Sequence, residues 1–109
     1  MDPAIVREIL SSLWRIHILH HAGERPVVGH WMLRELRAHG YEVSPGTLYP
    51  MLHRMEERGW LESEAQGTGS RAPRAYSLTP KGAEVLATVR EALHELTAEL
   101  DGTDSRPAR

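Results

Sequence analysis

The sequence predicts a mainly α-helical chain with one small β-hairpin, an α+β fold, and three observations carry that reading. Four stretches repeat apolar residues at helical spacing. Three of these open on Asp2-Pro3, Ser44-Pro45 and Thr79-Pro80, a capping residue followed by a proline whose missing N–H had no helical partner. Between the third and fourth stretches, two short segments of strand character flank a glycine-rich tip. A chain of 109 residues fits one domain with one modest core. Phe is absent, so Leu, Ile, Val, Met and three Trp must build that core.

The first helix is expected from Pro3 to about His21, where Ala22-Gly23-Glu24-Arg25-Pro26 breaks it. Ile5, Ile9, Leu13 and Ile16 form its apolar stripe, widened by Leu10 and Trp14. A second helix, about 12 residues long as is common, is read from Val28, Met32, Leu33 and Leu36 and closed by Gly40. The third opens on the Ser44 cap and follows the helical template through Leu48, Met51, Leu52 and Met55 to Gly59. Pro50 lies inside it and predicts a slight bend or a late start. The joint between the second and third helices has the length of a helix-turn-helix turn.

After Gly59, Trp60 to Glu64 and Arg74 to Leu78 read as two strands around Gly67-Thr68-Gly69-Ser70. Three helices followed by a hairpin make a winged helix-turn-helix. In the fourth helix Leu86, Val89, Leu93, Leu96 and Leu100 give two heptads of apolar seam on a domain already complete without it, and a second copy of the chain is the economical partner. The expected organisation is therefore a winged-helix unit over residues 1–79, a dimerisation helix over 80–100 and a mobile tail over 101–109.

Composition excludes several classes. With no Cys there is no disulfide, thiolate zinc cage or cysteine nucleophile, and with no signal-like apolar stretch this suits a cytoplasmic location. No apolar run is long enough for a membrane span. No Gly-x-Ser-x-Gly elbow, phosphate loop or metalloprotease helix is present, so no enzyme is expected. The net charge of −2 does not favour a polyanionic partner, but its distribution does: residues 65–82 carry Arg71, Arg74 and Lys81 with no acid. Phosphate contacts need only local positive charge.

On the third helix the core stripe leaves Thr47, Tyr49, His53, Arg54 and Glu57 facing outward or flanking it. That pattern suits a recognition helix in a major groove and equally an ordinary polar face. In the DNA reading Ser44 and the free N–H groups meet a phosphate, Thr47 and Tyr49 position the backbone, and His53 or Arg54 reaches a phosphate or a base edge. Arg71 and Arg74 would track phosphates from the hairpin, and Lys81 at a helix N-terminus, where a cation is unfavourable, would gain from an external anion. Trp31 reads as core. His17 and His21, four apart on the first helix with His20 beside them, are the metal candidates. Two imidazoles make an incomplete site, with Asp2, Glu24, His30 or a second chain left to complete it, so no metal or other cofactor is expected.

The run Ser44-Pro45-Gly46-Thr47-Leu48-Tyr49-Pro50, then Leu52, Leu61 and Tyr76, and finally Leu78-Thr79-Pro80-Lys81-Gly82, closely resembles the signature region of PadR-family transcriptional regulators. The resemblance makes Pro50 a family feature, and the single C-terminal helix is similar to the short subfamily. It implies a sequence-specific repressor that binds a pseudo-palindromic operator in double-stranded DNA as a homodimer and is released by a small effector. The implied dimer packs the last helix on the partner's first, through Ile5, Ile9, Leu86, Val89, Leu93, Leu96 and Leu100. It also implies a cleft between the two subunits, lined by the first and fourth helices and bordered by Trp14, that receives a planar aromatic effector. The chain departs from the family pattern at Val27-Val28-Gly29-His30-Trp31, which bears on any inherited ligand and not on the fold. The competing readings are a metal-responsive regulator on the same scaffold and a winged-helix module that binds only protein.

Overall fold

A computed structural model describes residues 2–103 in the order α1 (Pro3–Glu24), β1 (Val27–Val28), α2 (Gly29–Ala38), α3 (Pro45–Glu57), β2 (Leu61–Ala65), β3 (Arg74–Leu78) and α4 (Pro80–Leu100). The Asp2 carboxylate accepts the Ala4 N–H at 2.9 Å and caps α1 as expected. The helix runs three residues past His21, through Ala22 and Gly23 to Glu24. Tertiary packing overrides the local break there: Ala22 is buried in the core and Gly23 faces Leu78. Arg25, extended ahead of Pro26, ends the helix.

The sheet has three strands, not two. Val27 pairs with Tyr76 and Val28 with Ala75, so β1 adds to the hairpin in the antiparallel order β1-β3-β2. A two-residue strand carries no periodicity for a sequence to reveal. β1 also shortens α2, which begins only at Gly29 and has 10 residues. Gly40 closes it at φ 90°, as its position predicts.

α3 is continuous from Pro45 through Pro50 to Glu57, with no late start. The Gly46 carbonyl that Pro50 cannot satisfy belongs to an exposed residue, where water can serve it. Ser44 holds the cap position, but its hydroxyl donates to Thr47 Oγ1 at 3.2 Å while its carbonyl takes the N–H groups of Thr47 and Leu48.

The core joins Ile18 of α1, Met32 and Leu36 of α2, Leu48, Met51, Leu52 and Met55 of α3, and Leu61 of β2, all fully buried. α1 has two apolar faces. Trp14, Ile18, Leu19 and Ala22 face this core, while the stripe of Ile5, Ile9, Leu13 and Ile16 does not.

α4 is fixed at its first turn. The Thr79 side chain accepts the Gly82 N–H at 2.9 Å and donates to the Gly59 carbonyl, and the Thr79 N–H bonds to the Trp60 carbonyl at 3.1 Å. Gly82 is pressed so closely on the Trp60 backbone that a Cβ would lie 2.1 Å from its carbonyl oxygen. Val85 and Leu86 then pack on the core edge, and Val89 and Leu93 are half-buried. At the far ends of the two long helices Ile5, Ile9, Leu96 and Leu100 are 60, 73, 50 and 77% exposed. No helix among the described residues is long and apolar enough to cross a membrane.

Because the atom blocking a methyl at position 82 is backbone, the strain cannot relax through a side-chain rotation. Gly82→Ala should destabilise the chain by about 3 kcal/mol or more, read as a lower urea midpoint; an unchanged midpoint would show that α4 does not dock this tightly.

Candidate nucleic-acid interface

The exposed face of α3 and the hairpin enclose a groove of about 770 Å³, lined among others by Tyr49, His53, Gln66, Ser70, Arg71 and Arg74. Among the described residues, Arg71 and Arg74 are the only Lys, Arg, Asp or Glu side chains in its lining. The hairpin brings its arginines to the helix because β2 and β3 are in register from Leu61↔Leu78 to Ala65↔Arg74, and the Gln66 N–H to Pro73 carbonyl bond extends that ladder. Gly67 and Gly69, at φ 126° and 100°, turn the tip.

Each groove side chain has a local cause. Tyr49 lies against Gly29, whose missing side chain makes room: a Cβ there would stand 2.5 Å from the ring. Arg74 is held across the hairpin, its Nε donating to Ser63 Oγ at 2.8 Å and a terminal nitrogen donating to the Ser63 carbonyl at 3.2 Å. Ser63 in turn donates to the Glu56 carboxylate, which ties α3 to the hairpin. Burial, and next the Glu56 charge, push the Tyr76 phenol above its ordinary pKa.

Not every residue singled out in the sequence reaches this groove. Ser44 and Thr47 sit at the entry of α3. Arg54 does not line the groove and acts instead on Arg15, whose pKa is lowered by burial first and then by the charges of Arg54 and Arg58. Arg58 also lies 5.2 Å over the Trp60 ring. The Lys81 stem packs beside Gly59, just past the C-terminal end of α3, where a cation meets the favourable end of that helix dipole. His30 and Gln66 were not assigned to this surface from the sequence; His30, in the first turn of α2, lines the groove because β1 pairs with β3 and α2 packs on α3.

Between α1 and α4 lies a second cleft, about 450 Å³, lined by Leu13, Ile16, His17, Tyr41, Leu86 and Arg90 among others. Trp14 is 2% exposed, behind Tyr41, with ring centroids 6.2 Å apart, and its indole N–H has no hydrogen-bond partner. His17 and His21 face α2 and the segment after it, where His39 and Tyr41 stand. Burial, then the imidazoles of His39, His21 and His20, lower the His17 pKa from its ordinary value.

A three-helix core with a β-hairpin wing beside its third helix defines a winged helix-turn-helix protein. Residues 18–88 match the model of the transcriptional regulator PadR-like family. The chain belongs to that family. It is 48% identical over 103 residues to transcriptional regulator Rv3488 of Mycobacterium tuberculosis, covering 94% of this chain and 96% of that one. The crystal structure of a PadR family regulator from Eggerthella lenta is similar at TM-score 0.73 and 30% identity, over 91% of both chains. A PadR-like regulator from Bacillus cereus is similar at TM-score 0.76 and 26% identity, over 87% of this chain and 94% of that one. These relatives are transcriptional regulators, not enzymes.

The burial of Trp14 makes a stability prediction. Trp14→Ala should cost about 3–5 kcal/mol in urea unfolding. Trp14→Phe should cost clearly less, because it also removes an unpaired buried donor, itself unfavourable by about 1–3 kcal/mol. Equal losses would show that the indole N–H finds a partner in solution.

Proposed function

We propose that this regulator binds a pseudo-palindromic operator in double-stranded DNA as a homodimer and represses by occupying it. The observation that carries the reading is the groove between α3 and the hairpin, which Arg71 and Arg74 line with no acidic side chain among its described lining residues. The N-terminal half of α3 enters the major groove, with Ser44 and the free N–H groups of the first turn toward a phosphate. Tyr49 and Thr47 set the register, His53 reaches a base edge, and Arg71 and Arg74 follow the phosphates. Arg54, near Arg15 and Arg58, serves as a phosphate contact outside the groove. Lys81 gives a more distant phosphate contact. Repression by occupancy needs no activity beyond binding, and a cytoplasmic location follows from access to the chromosome.

The dimer reading rests on the exposed apolar ends of α1 and α4. Ile5, Ile9, Leu96 and Leu100 are costly to leave in water and would be covered by a second chain, with Leu86, Val89 and Leu93 continuing the seam inward. Two copies then present two recognition helices about one turn of DNA apart, roughly 10 base pairs. The cleft between α1 and α4 adjoins this interface and has a suitable size for a small planar aromatic effector. Tyr41, with Trp14 behind it, supplies the aromatic wall, and an occupant there would alter the spacing of the two wings.

Since Leu96 is exposed in the single chain, a charge there should leave the fold intact. Leu96→Glu should give a folded monomer in light scattering with unchanged helical circular dichroism; a stable dimer would remove this part of α4 from the interface. For DNA, the double variant R71A/R74A should weaken specific and random duplexes alike and flatten the slope of log affinity against log salt by about 2, one for each phosphate no longer neutralised. His53→Ala should instead cost about 1–3 kcal/mol on the cognate operator alone. An unchanged salt slope in the double variant would sink the wing contact, and a uniform loss on all DNA would reduce His53 to a phosphate contact.

A further inference from the structure

α1 and α2 each offer a pair of metal-ligating residues one helical turn apart, and the fold sets the two pairs against each other. His17 and His21 come from α1, Glu35 and His39 from α2 and its C-terminal cap. Donor atoms of the three histidines all lie within 4.8 Å of one another. The His17 and His39 rings are 4.7 Å apart, and the His17 and His21 rings lie nearly parallel at 6.1 Å. One Glu35 oxygen stands 3.1 Å from His39 Nε2 and 3.8 Å from His21 Nε2.

We propose that His17, His21, His39 and Glu35 bind a zinc-class divalent cation that bridges α1 and α2. Three imidazoles and one carboxylate suit Zn²⁺, Co²⁺ or Ni²⁺ and not Mg²⁺ or Ca²⁺, which take oxygen ligands. Zn–N bonds of about 2.0–2.1 Å put tetrahedral donors about 3.3 Å apart, so the three histidine donors, within 4.8 Å of one another, have at most about 1.5 Å to close. A second layer is already in place. His21 Nδ1 lies 3.5 Å from Glu24 while its Nε2 is turned toward Glu35. A ligating histidine commonly donates its other ring N–H to a carboxylate in this way, which fixes tautomer and orientation. Glu24 is thus a positioning residue. His39 is exposed at the edge of the cluster, which gives an ion a way in. Without a cation, Glu35 is the one carboxylate near His39 among the described residues, and the His17 ring stands against two further imidazoles.

The site is independent of the DNA-binding reading and is tested on DNA-free protein. Titration of the full chain with Co²⁺ should develop visible d–d absorption that saturates at one ion per chain, and Zn²⁺ should bleach it. His39→Ala and Glu35→Gln, both at partly exposed positions, should fold normally by circular dichroism and bind Co²⁺ at least about tenfold more weakly, since even an outer partner of a metal site commonly contributes that much. His94→Ala, on α4 outside the cluster, should bind as the parent does. Failure of the parent chain to take up Co²⁺, or equal affinity in H39A and the parent, would overturn the site; a loss in H94A as large as that in H39A would place the ion elsewhere and overturn it too.

Discussion

The close approach of Gly82 to the Trp60 backbone is the constraint on which the arrangement of this chain depends. Thr79 makes the contact obligatory, because its side chain and N–H together join the end of α3, the start of β2 and the first turn of α4. Three elements therefore share one junction, and none can shift without opening a buried contact or leaving polar groups unpaired. The Lys81 stem covers the same corner against Gly59. Through it the direction of α4 is set by the winged core. A mutual arrangement of two wings in a dimer would follow from a turn of four residues.

The chain separates its chemistry by location. Exposed apolar side chains gather at the free ends of α1 and α4, and Arg71 and Arg74 line the groove between α3 and the hairpin. α1 serves both regions, since its Trp14 face belongs to the core while its Ile5 and Ile9 positions stay open to solvent. A net charge of −2 is then no obstacle to binding a polyanion, because screening limits the range over which the acidic helix α4 is felt.

α1 also connects the two proposed sites of control. His17 lines the cleft between α1 and α4 and is also a member of the histidine cluster facing α2. An ion bridging α1 to α2 would stiffen the link between the interface helix and the helix that supports α3. A ligand in the cleft and an ion in the cluster would thus act on one rigid element.

Much of this was legible in the sequence, for a local reason. Caps, prolines and apolar spacing depend on neighbours within a few residues, so α3, α4, the hairpin and the closure by Gly40 could be read directly, and the signature from Ser44 to Gly82 pointed to the family. Outward placement of Tyr49 and His53 followed from the same periodicity. Tertiary structure alone decided the rest. It carried α1 past Gly23 by burying Ala22, and it made a strand of two valines that have no period of their own. It chose between the two apolar faces of α1 and so buried Trp14. It left Arg54 out of the groove lining and near Arg15, and it set Glu35 and His39 opposite His17 and His21. Each of these is a contact between residues distant in the chain, and no spacing along one helix encodes which face of another helix it will meet.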